Sequence, residues 1–152
     1  AIDRVDRRIL DLLQREGALS VAEVASRTAL STTTCWRRIQ HLEQSGVIRG
    51  RVALLDRSAL GLDVTIFAHV KLSTQGRDAI AAFAEAIRER PEVLDCYTTM
   101  GEWDFMLRIV TRDIKAYEAF YLDHLSKLPN VQSINSSVTV TVIKETTVLP
   151  ID

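Results

Sequence analysis

The run Ser31-Thr32-Thr33-Thr34-Cys35-Trp36-Arg37-Arg38-Ile39-Gln40-His41-Leu42 gathers hydroxyls, guanidinium groups and an amide within a few helical turns. These side chains bond phosphate oxygens and the edges of bases. At about 100° per residue, Cys35, Ile39 and Leu42 share one arc of a helix. Thr33, Arg37, Gln40 and Gln44 fall on the opposite arc, with Thr34 and His41 flanking it. An element that enters a DNA groove does so by its N-terminal part. That ranks Thr33, Thr34 and Arg37 ahead of Gln40 and His41, with Ser31 and Thr32 at the helix start. Arg49 and Arg51, just beyond its end, extend the same candidate set. A polar face that meets only solvent uses similar residues. Arg38 borders the apolar arc and is expected to be structural. Trp36 lies between the arcs and fits a half-buried packing residue better than a wedge between bases.

A second candidate is the turn Met100-Gly101-Glu102-Trp103-Asp104. A free amino acid presents an ammonium, a carboxylate and one variable group, so its recognition needs an anionic acceptor and N–H donors. Asp104 can supply the acceptor, and Gly101, lacking a Cβ, lets backbone approach a ligand closely. A plain hairpin turn accounts for the same residues, with Gly at positive φ and Asp capping the adjoining strand. Both readings stand at this point.

The elements that carry these groups follow from periodicity. Ile2, Val5, Ile9, Leu12 and Leu13 form one helical stripe, with Asp3 and Asp6 in the first turn and Gly17 as the stop. Ser20 and Glu23 make a capping box for a second helix, whose inner stripe is Val21, Val24 and Ala25. Ser31 opens a third helix running to about Gln44. Three short helices with a tight second connection predict a helix-turn-helix. Val47 to Leu55 reads as a strand, and Asp56 to Gly61 as a polar boundary.

Beyond residue 62 the period changes to two. Val64 to Leu72 alternates as a strand, and Ile80, Phe83, Ala84 and Ile87 stripe a helix stopped by Pro91. Val93–Thr99 and Phe105–Val110 are strands on either side of the candidate turn. A helix from Ile114 to Leu128 ends before Pro129, and Val131 to Ile143 reads as one long strand. The order βαββαβ is the ferredoxin-like split βαβ. The fold class is therefore α+β: a three-helix, winged-helix-like helix-turn-helix domain (1–49), a linker strand and hinge (50–62), and a ferredoxin-like domain (63–152).

The 152 residues carry 26% charged side chains and have a mean hydropathy of +0.05, which fits folded domains rather than a disordered chain. Net charge is −1, yet residues 1–62 carry ten Arg against seven acids, and residues 63–152 nine basic residues against thirteen acids. The basic bias thus falls in the helical half, where an anionic partner is expected. No apolar run approaches a membrane span, and AIDRVDRRIL has no signal-peptide pattern, so a cytoplasmic setting is expected. Cys35 and Cys96 make neither a disulfide framework nor a metal cluster, and His41, His69 and His124 share no ligand spacing. No phosphate loop, nucleophile elbow or catalytic dyad is present, which argues against an enzyme. Neither a metal nor a cofactor is expected.

The segment from Leu30 to Ile48, the opening Asp3…Asp6-Arg7-Arg8-Ile9-Leu10 and the turn Gly101-Glu102-Trp103-Asp104 together resemble the Lrp/AsnC family of bacterial regulators, over essentially the whole chain. The resemblance implies a transcription factor that binds double-stranded DNA through its N-terminal domain. It further implies a linker strand and a ferredoxin-like domain that dimerises, assembles toward an octamer and binds a small effector, usually an amino acid. In such proteins the pocket lies between subunits. Carried over by position, it would use Thr98, Met100, Gly101, Glu102, Trp103 and Asp104 of the turn, with Ser137 and Thr139 of the last strand. Met100 and Trp103 depart from the commoner smaller polar residue and Tyr or Phe, which puts the effector's identity in doubt. The competing function is a ferredoxin-like metabolite-binding module or small enzyme whose helices dock a protein. The Arg bias and the missing catalytic constellation favour the regulator.

Overall fold

The computed structural model describes residues 1–152, which form two compact units. The first comprises Ala1–Leu55 together with Lys144–Asp152, and the second Asp56–Ile143.

The first unit holds α1 (Arg4–Arg15), α2 (Val21–Thr28) and α3 (Thr32–Gln44). Each helix starts where a side chain satisfies an orphan backbone N–H. Asp3 caps α1 in a reciprocal box with Asp6, so it precedes the first turn rather than lying within it. Ser20 and Glu23 form the expected box on α2, and Ser31 caps α3. Ile9, Leu13, Leu19, Val24, Ala25, Cys35, Ile39 and Leu42 make the core of this unit. Ala29, at φ 57°, turns the chain out of α2, so that only three residues separate α2 from α3.

Arg38 ties the unit together from its rim. Its Nη1 lies 2.8 Å from Asp3 Oδ2 and 3.0 Å from Asp6 Oδ1, linking α3 to the capping box of α1. Asp6 is buried and therefore depends on these partners.

Val47 to Leu55, expected as a strand, pairs with nothing in the chain. Extended backbone becomes a strand only against a neighbour, and none lies within reach. Residues 144–152 cluster with the helices: the Gln14 amide donates to Leu149 O at 2.9 Å and accepts from Leu149 N at 2.8 Å. Alternation of Val and Thr cannot reveal which unit an unpaired segment packs on.

The second unit is a four-stranded antiparallel sheet with the order β2-β3-β1-β4, formed by β1 (Val64–Leu72), β2 (Val93–Thr98), β3 (Phe105–Thr111) and β4 (Val131–Val138). Helices α4 (Arg77–Arg88) and α5 (Ile114–Asp123) complete the βαββαβ order. The helix continuing α5 is shorter than expected and gives way to a single 3-10 turn at Leu125–Lys127. Ile66, Ala68, Val70 and Leu72 of β1 face the core with Phe105, Leu107 and Ile109 of β3. Phe83 of α4 stacks on Phe105 with ring centroids 4.2 Å apart, and Tyr117 and Phe120 seat α5. The alternate residues of β1 and β3 (Phe67, His69, Lys71, Met106 and Arg108) are half-buried on the opposite face of the sheet. β4 stops at Val138, short of the expected Ile143. Thr139 N still bonds Thr65 O at 3.0 Å, but β1 begins at Val64 and offers no further partner.

The Asp3 carboxyl is held below its ordinary 3.8, first by the Arg38 hydrogen bond and then by the Asp6 N–H. A carboxylate with a lowered folded pKa adds stability that is present above its unfolded value and is lost as pH falls through its folded one. Arg38→Ala is therefore expected to lower the melting temperature of the helical unit at pH 7. The gap from the parent protein should narrow as pH drops below about 4. Melting followed by circular dichroism across that range checks this, and a gap independent of pH contradicts it.

Candidate functional site

On α3 the core arc is the expected one: Cys35, Ile39 and Leu42 are buried. Cys35 lies in this apolar layer, where burial raises its thiol pKa, so it is packing rather than chemistry. Thr32, Thr33, Arg37, His41 and Gln44 are exposed, while Gln40 is half-buried. The hydroxyls divide by occupation. Ser31 Oγ accepts from Thr34 N at 3.2 Å and donates to Thr34 Oγ1 at 2.8 Å, so both of these hydroxyls serve the cap. Thr32, Thr33 and Arg37 make no side-chain hydrogen bond or ion pair within the chain and stay available to a ligand.

The first turn of α3 holds no acid, so its free N–H groups and positive dipole end stay uncompensated. Arg49 is exposed and unpaired, whereas Arg51 lies 3.2 Å from Glu43. That pair neutralises the one acid of α3 and spends Arg51 in doing so. Trp36, between the arcs, is 53% exposed, so about half of it is covered and half faces solvent.

The turn after β2 is pinned to the end of the central strand. Asp104 N donates to Val70 O at 2.9 Å, Asp104 Oδ2 accepts from Leu72 N at 2.8 Å, and Thr99 N donates to Asp104 O at 2.9 Å. Thr99 Oγ1 closes the turn on Trp103 O at 2.8 Å. One carboxylate oxygen of Asp104 thus caps the end of β1, and not the adjoining strand β3 that the plain-turn reading names. The other oxygen forms no hydrogen bond in the chain. Gly101 sits at φ 116° with open space where a Cβ would point, so a side chain there would be strained but not blocked. Met100 is fully exposed and Glu102 is exposed. Trp103 is half-buried, its ring tilted against His69 at 6.0 Å. Sequence reasoning missed that His69 contact, since alternation along β1 fixes only the sheet face of His69. Thr98, at the end of β2, opens onto a cavity walled by Ile80, Ile87 and Phe105.

The two remaining residues lie elsewhere. Ser137 is opposite Phe67, and Thr139 Oγ1 donates to Thr65 O at 2.9 Å. These contacts fall near the start of β1, five to seven residues from Leu72, which is about 17–24 Å along a strand. A single chain does not bring Ser137 and Thr139 to the turn. Ser136 bonds the Tyr117 hydroxyl, so that hydroxyl is satisfied internally. No cluster of His, Cys, Asp and Glu suits a metal ion, and no helix is long and apolar enough to cross a membrane.

Comparison with known proteins matches both units. The Lrp/AsnC ligand binding domain model covers residues 65–149, and a winged helix-turn-helix DNA-binding model covers residues 2–49. The DNA-binding transcriptional activator DecR of Escherichia coli is 36% identical over 151 residues, 99% of each chain. The glutamate uptake regulatory protein of Zymomonas mobilis is 33% identical over 150 residues, 99% of this chain and 91% of its own. Among solved structures, the transcriptional regulator NMB0573 of Neisseria meningitidis, in complex with L-Met, has a TM-score of 0.94 at 37% identity, covering 99% of this chain and 97% of that one. An AsnC family transcriptional regulator from Agrobacterium tumefaciens has a TM-score of 0.93 at 42% identity, with 97% and 96% covered. All four are named as regulatory proteins, three of them expressly of transcription, and none as an enzyme.

The Asp104 geometry separates two roles of one side chain. Asp104→Ala orphans Leu72 N–H at the end of β1 and should destabilise the second unit by about 1–2 kcal/mol. Asp104→Asn keeps an acceptor for that N–H and should stay within about 0.5 kcal/mol of the parent. Urea unfolding of both variants checks the pair, and equal losses would mean that the Leu72 bond carries no weight.

Proposed function

The chain belongs to the Lrp/AsnC family of DNA-binding transcriptional regulators, and on that premise we propose that an amino acid held between two copies of the chain sets its assembly and its grip on DNA. The single observation that carries this reading is the split of the candidate pocket. The turn hangs from one end of β1, and Ser137 and Thr139 from the other. A second copy related by a two-fold axis perpendicular to β1 runs its β1 the opposite way, and so presents its Ser137 end to the first copy's turn. The unbonded Asp104 oxygen then takes the effector's ammonium, and the open backbone at Gly101 approaches its carboxylate. Glu102 and the side chains of Thr98, Met100 and Trp103 border the variable group, with Ser137 and Thr139 supplied by the partner subunit. The L-Met complex of the Neisseria regulator supports an amino acid as the ligand class. Two such chains make the dimer, and dimers assemble further into the octamer. The setting is the cytoplasm.

On the DNA side, Thr32, Thr33 and Arg37 contact phosphates and base edges from the start of α3. Ser31 and Thr34 shape its first turn, Gln40 and His41 lie further along, and Arg49 flanks the backbone, with Arg51 paired to Glu43 beside it. A two-fold dimer sets two such helices in successive major grooves, about 34–36 Å apart. Arg–phosphate contacts carry much of the affinity, which falls steeply with salt. The effector acts by binding one arrangement of subunits more tightly than another, since a ligand with equal affinity for both shifts nothing.

A thermal-shift screen of the twenty amino acids tests the pocket. One ligand at about 100 times its Kd should stabilise the protein by about 2.7 kcal/mol. The shift should vanish in Asp104→Asn, which keeps the turn's hydrogen bond. A retained shift in that variant places the ammonium elsewhere. For DNA, Arg37→Ala should weaken duplex binding by one to two powers of ten, about 1.4–3 kcal/mol, and leave the oligomer mass unchanged. Unaltered affinity removes Arg37 from the interface.

A further inference from the structure

Trp36 is the largest side chain on α3 and one of two tryptophans in the chain, yet about half of it is open to solvent. Its indole is 53% exposed, while Cys35 beside it is fully buried. The open half of a Trp on a helix that has already filled its core arc offers apolar surface to a partner. The surroundings say what kind of partner. Thr32 and Thr33 lie one turn back, Arg37 is adjacent, and Gln40 is one turn ahead. None of these carries negative charge, and Glu43, the one acid of α3, is paired with Arg51. Trp36 is the fifth residue of the helix, about 7 Å from its start. That falls within the N-terminal part of a recognition helix, whose residues contact base edges in the major groove.

We propose that Trp36 is a specificity-determining residue that lays its exposed indole against the C5-methyl group of a thymine in the major groove. This inference rests on the DNA-binding reading of α3 and deepens it. The thymine methyl is the one apolar group among the base edges of that groove, and apolar side chains recognise it by contact. Arg37 and the Thr32 and Thr33 hydroxyls supply polar contacts around it, so the indole adds discrimination where hydrogen bonding gives none. The acid-free, cationic rim matches the phosphates on either side of such a groove.

The test uses the full-length protein and a duplex that it enriches from a randomised pool. Each thymine of the enriched half-site is replaced in turn by uracil, which removes the C5-methyl and leaves pairing intact. The parent protein should bind one uracil-containing duplex about three- to fivefold more weakly, the worth of one buried methyl. Trp36→Ala should bind the thymine and uracil forms of that duplex equally. Trp36→Gln, which keeps a good helix former at an exposed position, supplies the same comparison should the alanine variant not fold. If parent and variants show the same thymine-to-uracil ratio at every position, the inference is overturned while the DNA-binding reading stands. If no duplex is enriched by the folded parent protein, both fail together.

Discussion

The central strand β1 imposes the constraint on which the second unit's function depends. It bonds β3 on one side and β4 on the other, and both of its ends hold pieces of the candidate pocket. At the Leu72 end the backbone N–H is captured by Asp104, which fixes the turn carrying Gly101 and Trp103. At the Thr65 end the carbonyl takes both the backbone N–H and the hydroxyl of Thr139. A strand cannot fold back on itself, so these ends stay apart in every copy of the chain. A pocket that uses both ends is therefore built by assembly, and its occupancy is linked to assembly by mass action.

The first unit obeys a different economy of side chains. Its polar groups divide into those that hold the helices and those left for a partner. Ser31, Thr34, Asp3, Asp6, Arg38, Glu43 and Arg51 are all committed to caps or ion pairs. Thr32, Thr33, Arg37 and Arg49 are exposed and uncommitted. The cap on α3 is neutral, unlike the acidic boxes on α1 and α2, so this helix alone keeps its N-terminal dipole unscreened by carboxylates. That contrast suits the α3 end for meeting phosphates.

Much of this was legible in the sequence because local rules dominate it. The capping box at Ser20 and Glu23, the buried arc Cys35–Ile39–Leu42 and the βαββαβ order follow from side-chain chemistry and from periods of 3.6 and 2. What was not legible depends on neighbours that no local pattern encodes. The last strand ends at Val138 because β1 has run out, not because Val140 or Val142 lacks strand character. Val47 to Leu55 has strand composition but no ladder to join. The single hydrogen bond on the Asp104 carboxylate and the His69–Trp103 contact likewise come from tertiary placement. Residue types could name the turn as a candidate site, but they could not say that one carboxylate oxygen was already spent.

In the proposed function, one small ligand governs both assembly and DNA affinity. The most direct measurement follows both at once, titrating each amino acid into full-length protein on a labelled duplex while reading anisotropy and sedimentation mass. One amino acid should shift the duplex affinity and the oligomer mass over the same concentration range. An amino acid that demonstrably binds the protein, yet leaves both the affinity and the mass unchanged, would contradict it.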